Sequence, residues 1–258
     1  KGLKEQLRKL EAEMSACQDQ LKPLLLTVPN VPAEAVPEGA DDQDNVELKT
    51  WGAPRTFDFT PRDHVDIGES QGWLDAETAG RIAGSRNYIS MGELARLEHA
   101  VLRFALDMMI DLGFSPAIVP VLVRAEPLWG TGYFPGGGDQ IYQTDERDDL
   151  YLVGTAEVPL TSIHAEKIHD IKDLPIKLVA HSTCYRREAG TYGKDTRGLY
   201  RVHQFQKVEQ VVIDIADEQR SIEHHSAILQ NAEDLLQAFD LPYRVVNVCG
   251  GDLGQPQI

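Results

Sequence analysis

Residues 186–209 read RREAGTYGKDTRGLYRVHQFQKVE, and this stretch decides the fold. Residues 181–188 and 200–215 read as two strands. Residues 189–199, with Gly190, Gly193 and Gly198, read as the loop that joins them into a long hairpin. Along the second strand, alternation puts Arg201, His203, Phe205, Lys207 and Glu209 on one face. The hairpin is also a basic island. Arg186, Arg187, Lys194, Arg197, Arg201 and Lys207 are opposed only by Glu188 and Asp195. Arginines on paired strands can form a rigid fork for phosphate oxygens. A cation, an aromatic ring and a carboxylate in a row could meet a phosphate, a nucleobase and a polar amine or hydroxyl in turn. A solvated strand face with Phe205 in the core fits the same pattern.

Working outward, residues 151–153 form a short strand, and Thr155 reads as the N-cap of a helix running towards His169. Residues 217–239 are expected as a helix with Ile222, Ile228, Leu229, Ala232, Leu235, Leu236 and Phe239 on one face, followed by a strand at 243–248. Upstream, Leu94, Leu97, Val101, Phe104 and Met108 carry helical spacing that Gly113 closes. The apolar run 114–123 contains Pro116 and Pro120, which place it at a sheet edge or an interface. The glycine-rich segment 130–138 is loop, without the G-K-[ST] of a phosphate loop. Strands and helices mix without regular βαβ alternation, so the fold class is α+β.

Residues 1–27 differ in character. Leu3, Leu7, Leu10, Met14, Cys17, Leu21 and Leu24 recur at steps of four and three, a heptad seam that fits an amphipathic helix packed on the domain but, being narrow, reads better as one strand of a coiled coil, ended or kinked by Pro23. Residues 28–50 follow as an acidic, proline-rich linker, and 51–258 as the globular domain.

The composition sets limits on function. The chain has 258 residues, 42% hydrophobic and 26% charged, enough to bury a sizeable core. Lys and Arg number 25 against 41 Asp and Glu, a formal charge of −16, which disfavours DNA and anionic membranes outside a local basic site. No apolar stretch approaches the ~20 residues of a membrane helix. Cys17, Cys184 and Cys249 are odd in number and widely spaced, fitting reduced thiols in a cytoplasmic protein, with Cys184 a buried structural thiol. Neither His164 with His169 nor His224 with His225 has a usual metal spacing. The chain begins at Lys1 within a helical pattern and is expected to be a piece of a longer protein, cut at both ends.

Several segments together resemble the bacterial-type seryl-tRNA synthetases, a class II aminoacyl-tRNA synthetase family. Arg186-Arg187-Glu188-Ala189-Gly190, Lys194-Asp195, Arg197-Gly198-Leu199, Arg201-Val202-His203-Gln204-Phe205 and Lys207-Val208-Glu209 resemble its motif 2. Gly84-Ser85-Arg86 with Leu94-Ala95-Arg96-Leu97-Glu98 resembles the entry to motif 1. Gly113-Phe114 through Pro120 resembles motif 1 itself, and Thr155-Ala156-Glu157 the serine-binding T-x-E. The resemblance covers essentially the whole chain, arm included, in the family's order.

It implies an antiparallel sheet flanked by helices and a two-step reaction. Serine would attack the α-phosphate of Mg-ATP to give seryl-adenylate, and the seryl group would pass to tRNA(Ser), with tRNA(Sec) a further acceptor. Arg186 would be the catalytic residue on the α-phosphate. Arg187, Glu188, Arg201, Val202 and Phe205 would complete the ATP site, with Glu188 on the adenine amino group and Phe205 beneath the ring. Thr155, Ala156, Glu157 and Glu209 would bind serine. Lys194 and Arg197 would meet the tRNA acceptor end, and the motif 1 region would build a homodimer. Motif 3 and the main magnesium ligand are expected beyond Ile258, so the 258-residue chain is expected to aminoacylate little or not at all. An amino acid:carrier-protein ligase homologue and a non-catalytic dimeric scaffold remain as alternatives.

Overall fold

The structure, a computed structural model, describes residues 2–145, 147–191, 193 and 197–254. The chain divides into two compact units. The first holds residues 1–50, 132–138 and 244–258, and the second holds 51–131 and 139–243.

In the first unit, helix α1 (Gly2–Leu25) is exposed along its whole length, and Pro23 lies in its last turn. The leucines of the heptad seam therefore cover none of the described residues of this unit. Strand β1 (Val46–Trp51) closes the acidic stretch and pairs with the strand at Tyr243–Asn247, the last of the chain. Asn45 secures this unit by donating from Nδ2 to Asp252 at 2.8 Å and accepting from the Cys249 amide at 2.8 Å.

The second unit is built on a three-stranded sheet. Before it come α2 (His64–Ser70), β2 (Leu74–Asp75), α3 (Ala76–Ala83), β3 (Ile89–Ser90) and the long α4 (Gly92–Asp111), which ends with Gly113 at φ 87°. Then follow β4 (Ser115–Pro116), β5 (Leu122–Val123), α5 (Ala125–Gly130), β6 (Tyr142–Gln143), β7 (Tyr151–Leu152) and α6 (Glu157–Ser162). The long hairpin is β8 (Ile176–Tyr185) and β9 (Gln204–Ile213), and α7 (Glu218–Ala238) leads to β10 (Tyr243–Asn247). β8 lies between β4, its parallel neighbour, and β9, its antiparallel one. Pro116 is thus on an edge strand, where a missing N–H costs no ladder bond.

Two periodicities bury the two faces of this sheet. Val179, Val208 and Val212 pack with Met109 and Phe114 on the side of α4. Leu178, Ala180 and Val211 pack with Ala156 and Leu160 on the side of α6. The register places Phe205 opposite Cys184, Lys207 opposite Ser182 and Glu209 opposite Ala180. All six share the α6 face, and each larger residue of β9 stands beside a small one of β8. That pairing leaves room for a pocket above the sheet.

Three local expectations are corrected. β8 begins at Ile176 rather than at 181, because buried residues on both faces replace alternation with a nearly continuous apolar run. Arg201 and His203 fall outside the ladder, although the Arg186 amide still donates to the His203 carbonyl at 3.0 Å. The helix after Thr155 stops at Ser162, well short of His169. Its residues 163–166 form turns, and Glu166 has φ 57°, which no α-helix continues through. Among the described residues, no helix is long and apolar enough to cross a membrane.

Candidate active site

Thr155 sits at the foot of α6, where the chain turns from β7 into the helix, and is 1% exposed. Its Oγ1 accepts from the Glu157 amide at 3.2 Å and from Lys207 Nζ at 2.6 Å, and its hydroxyl donates to Glu209 Oε2. Lys207 also forms an ion pair with the same Oε2. A hydroxyl, an ammonium and a carboxylate therefore close one small network, joining Thr155 to two β9 residues more than fifty positions away in sequence. Ala156 is fully buried and packs with Leu160, Leu178 and Ala180, fixing Thr155 and Glu157 on either side of it.

Glu157 is exposed to the open side of the pocket. Protein packed around its carboxyl pushes its pKa up, repulsion from Glu209 adds to this, and Lys207 opposes it. Cys184, beneath Phe205, is fully buried, and burial pushes its thiol up against the opposing Ser182 hydrogen bond. It is the structural thiol expected.

Beyond this network lies the aromatic end of β9. The Arg186 guanidinium lies 5.3 Å from the Phe205 ring centroid, and Arg186 Nη2 donates to the Gly154 carbonyl at 3.5 Å. A Cβ at 154 would lie 3.4 Å from Arg186 and from the Tyr185 carbonyl, so the arginine packs directly over this glycine. Val202 is 5% exposed. Arg201 Nη1 donates to Glu188 Oε2 at 3.1 Å, and the Glu188 side chain is 12% exposed. Glu188 has φ 52°, a left-handed conformation held by Thr191 Oγ1 donating to the Glu188 carbonyl at 2.6 Å. Arg187 is exposed and enters the frame through its amide, which donates to the Gln140 carbonyl at 2.8 Å.

Two further residues hold the base of the loop, Gln140, which the sequence did not mark, and Arg86, which it marked only as part of the entry to motif 1. Gln140 accepts from the Ala189 amide at 3.3 Å and donates to its carbonyl at 3.0 Å, clasping the chain beside Glu188. Arg86 donates from Nη1 to the Arg201 carbonyl at 3.2 Å and from Nη2 to the Thr191 carbonyl at 2.8 Å. Neither lies within forty residues of its partners, so no local spacing marks them. Lys207 was legible as part of the β9 face but not as the partner of Thr155.

Arg197 pairs with Asp63 and Asp66, the N-cap and first turn of α2. His64 Nε2 accepts from the Leu199 amide at 3.0 Å, and its ring meets Tyr200 edge-on at 4.9 Å. Lys194 lies outside the described residues.

His164 Nδ1 and His169 Nε2 approach to 3.2 Å, nearer than their spacing indicates. Among the described residues, no group of three or more His, Cys, Asp or Glu side chains could hold a metal ion.

A sheet packed on both faces, a half-buried hydroxyl–ammonium–carboxylate network and an arginine over an aromatic ring agree with the class II aminoacyl-tRNA synthetase core fold that the comparisons find. Residues 141–256 match the class II core domain of the tRNA synthetases (G, H, P, S and T). The whole chain is 47% identical to the serine–tRNA ligase of Deinococcus radiodurans, covering 60% of that protein. It superposes on seryl-tRNA synthetase from Pyrococcus horikoshii complexed with ATP with a TM-score of 0.91 and 41% identity, covering 96% of this chain and 59% of that one. The cytoplasmic serine–tRNA ligase of Naegleria fowleri in complex with AMP gives 0.89 and 31%, covering 96% and 58%. The chain is thus similar along its whole length to serine–tRNA ligases, and it spans about 60% of the length of the relatives it matches.

Proposed function

We propose that this chain carries the serine-activating site of a serine–tRNA ligase. The observation that carries this reading is the Thr155–Lys207–Glu209 network beside Glu157, one strand face along from Arg186 and Phe205. The serine ammonium sits on Glu157 and its hydroxyl on Glu209. Adenine stacks on Phe205, with Glu188 accepting from its amino group and Arg201, Val202 and Arg187 framing the nucleotide. A serine carboxylate oxygen forms a bond to the α-phosphorus of ATP. The bond from that phosphorus to the β-bridging oxygen breaks, and pyrophosphate leaves with the electron pair. Arg186 moves from the ring face to the α-phosphate, where charge accumulates in the transition state. Positioning and charge stabilisation suffice for such a step without a nucleophilic side chain.

Magnesium would accompany substrate ATP, with its main protein ligand expected beyond Ile258, and no step here is routed through it. The seryl group passes next to the terminal ribose of tRNA(Ser), and of tRNA(Sec) where present, with Lys194 and Arg197 meeting the acceptor end. Residues 1–27 form part of a tRNA-binding coiled-coil arm, 28–50 its linker and 51–258 the catalytic domain of a cytoplasmic homodimer. The unpartnered leucines of α1 and the exposed apolar residues Leu97, Phe104 and Ile118 support the arm and the dimer respectively.

Calorimetric binding of a non-hydrolysable seryl-adenylate analogue, beside its alanyl, glycyl and threonyl counterparts, tests the proposal. The seryl compound is expected to bind at least about tenfold more tightly than the alanyl one, the worth of one hydrogen bond to a charged group. Equal or tighter binding of the alanyl or glycyl compound by the folded chain would refute it and favour a carrier-protein ligase.

A further inference from the structure

Lys207 lies inside the pocket rather than on a solvated strand face. Its ammonium contacts two groups at once, donating to Thr155 Oγ1 at 2.6 Å and pairing with Glu209 Oε2. The Thr155 hydroxyl, with its oxygen taken up by Lys207 and the Glu157 amide, has its proton directed to the same Oε2. Both donors thus converge on one oxygen of Glu209. The other, Oε1, has no protein partner among the described residues. The carboxylate itself is only partly open, with its side chain 22% exposed and that of Lys207 32% exposed.

We infer that Lys207 is a specificity-determining positioning residue: by saturating Oε2 together with Thr155, it orients Glu209 so that Oε1 is the acceptor for the substrate hydroxyl. This rests on the serine-activating reading and deepens it. A rotating or partly satisfied carboxylate would accept from water as readily as from substrate. A carboxylate locked through one oxygen presents the other in a fixed direction, and a site built to take a hydroxyl discriminates strongly against an analogue that lacks it. The register opposite Ser182 gives the lysine stem room to lie across the sheet face rather than reach into solvent. Lysine is also the right cation here. A compact ammonium can donate to a hydroxyl and a carboxylate from one atom, where a planar guanidinium needs a wider fork.

The experiment is calorimetric binding of the seryl- and alanyl-adenylate analogues to the 258-residue chain and to K207M, K207Q and K207R. In the native chain the seryl compound binds more tightly than the alanyl one. In K207M and K207Q the seryl compound is expected to weaken about 10- to 100-fold while the alanyl compound changes less than about threefold, the range of one charge-assisted hydrogen bond. K207R is expected to restore part of the seryl-to-alanyl ratio. If both compounds weaken equally, or if the ratio survives in K207M and K207Q, Lys207 is structural only and the inference falls while the serine-activating reading stands. If the native chain shows no seryl preference, that reading falls and takes the inference with it. Circular dichroism identifies any unfolded variant, and three substitutions of differing polarity leave a folded one to decide the matter.

Discussion

Two carboxylates share the pocket, and among the described residues only Glu209 has a cation in direct contact. At Glu157, protein packed around the carboxyl and the like charge of Glu209 raise the pKa, and Lys207 opposes the shift only in part. Taking up an ammonium needs the ionised form. Binding of the seryl-adenylate analogue should therefore tighten as pH rises from the ordinary carboxylate range through the raised pKa of Glu157, then level off. Calorimetry in two buffers of different ionisation enthalpy should show a proton released within that window, and E157Q should abolish the release. The same shift has a definite sign for stability. The folded chain holds this proton more tightly than the unfolded one, so Glu157 contributes less stability as pH rises through the window. Arg186 carries the phosphate end. R186A should weaken the analogue about 10- to 100-fold, and R186K should recover little, because an ammonium does not reproduce the fork. Arg186, Phe205 and Glu209 were legible from the sequence because strand alternation lines up the last two and a basic cluster marks the first. Lys207, Gln140 and Arg86 were not singled out as site residues, since their roles depend on register and on partners tens of residues away.

At the scale of elements, the hairpin is where sequence and structure meet. β8 and β9 were readable as a pair, and the glycines of the loop between them marked the turn. The two-residue strands β2 to β7 were mostly not, because two residues carry no period. The shortness of α6 was likewise hidden, since nothing periodic ends at Ser162 and only the backbone at 163–166 shows the break. Helix α7 was placed to within a residue at each end because its signals are local. Asp217 caps it by accepting from the Arg220 amide at 2.9 Å. D217A should cost about 1 kcal/mol of stability by denaturant unfolding, with no change in affinity for the seryl-adenylate analogue. A matching loss of affinity would mean that α7 is coupled to the pocket.

At the scale of the whole molecule, α1 presents an exposed leucine seam that no described residue of its own unit covers. Its narrow heptad pattern and its exposure agree. In the second unit, Ile118 is fully exposed just beyond edge strand β4, and Phe104 and Leu97 are exposed on α4. Sedimentation should report a dimer for the native chain, and I118D should shift it towards monomer without loss of helical content. Composition had already set the frame: an acidic chain carries a basic island at residues 186–207. What composition could not give is how that island adjoins Thr155, Glu157 and Glu209, because the arrangement arises from the pairing of β9 with β8 and their cover by α6. The most direct measurement is a crystal structure of the chain with the non-hydrolysable seryl-adenylate analogue. The expected result places the ammonium on Glu157, the hydroxyl on Glu209 Oε1, the phosphate on Arg186 and the adenine on Phe205. An analogue bound away from Glu157 and Glu209, or with its hydroxyl facing solvent, would contradict the assignment of this pocket to serine.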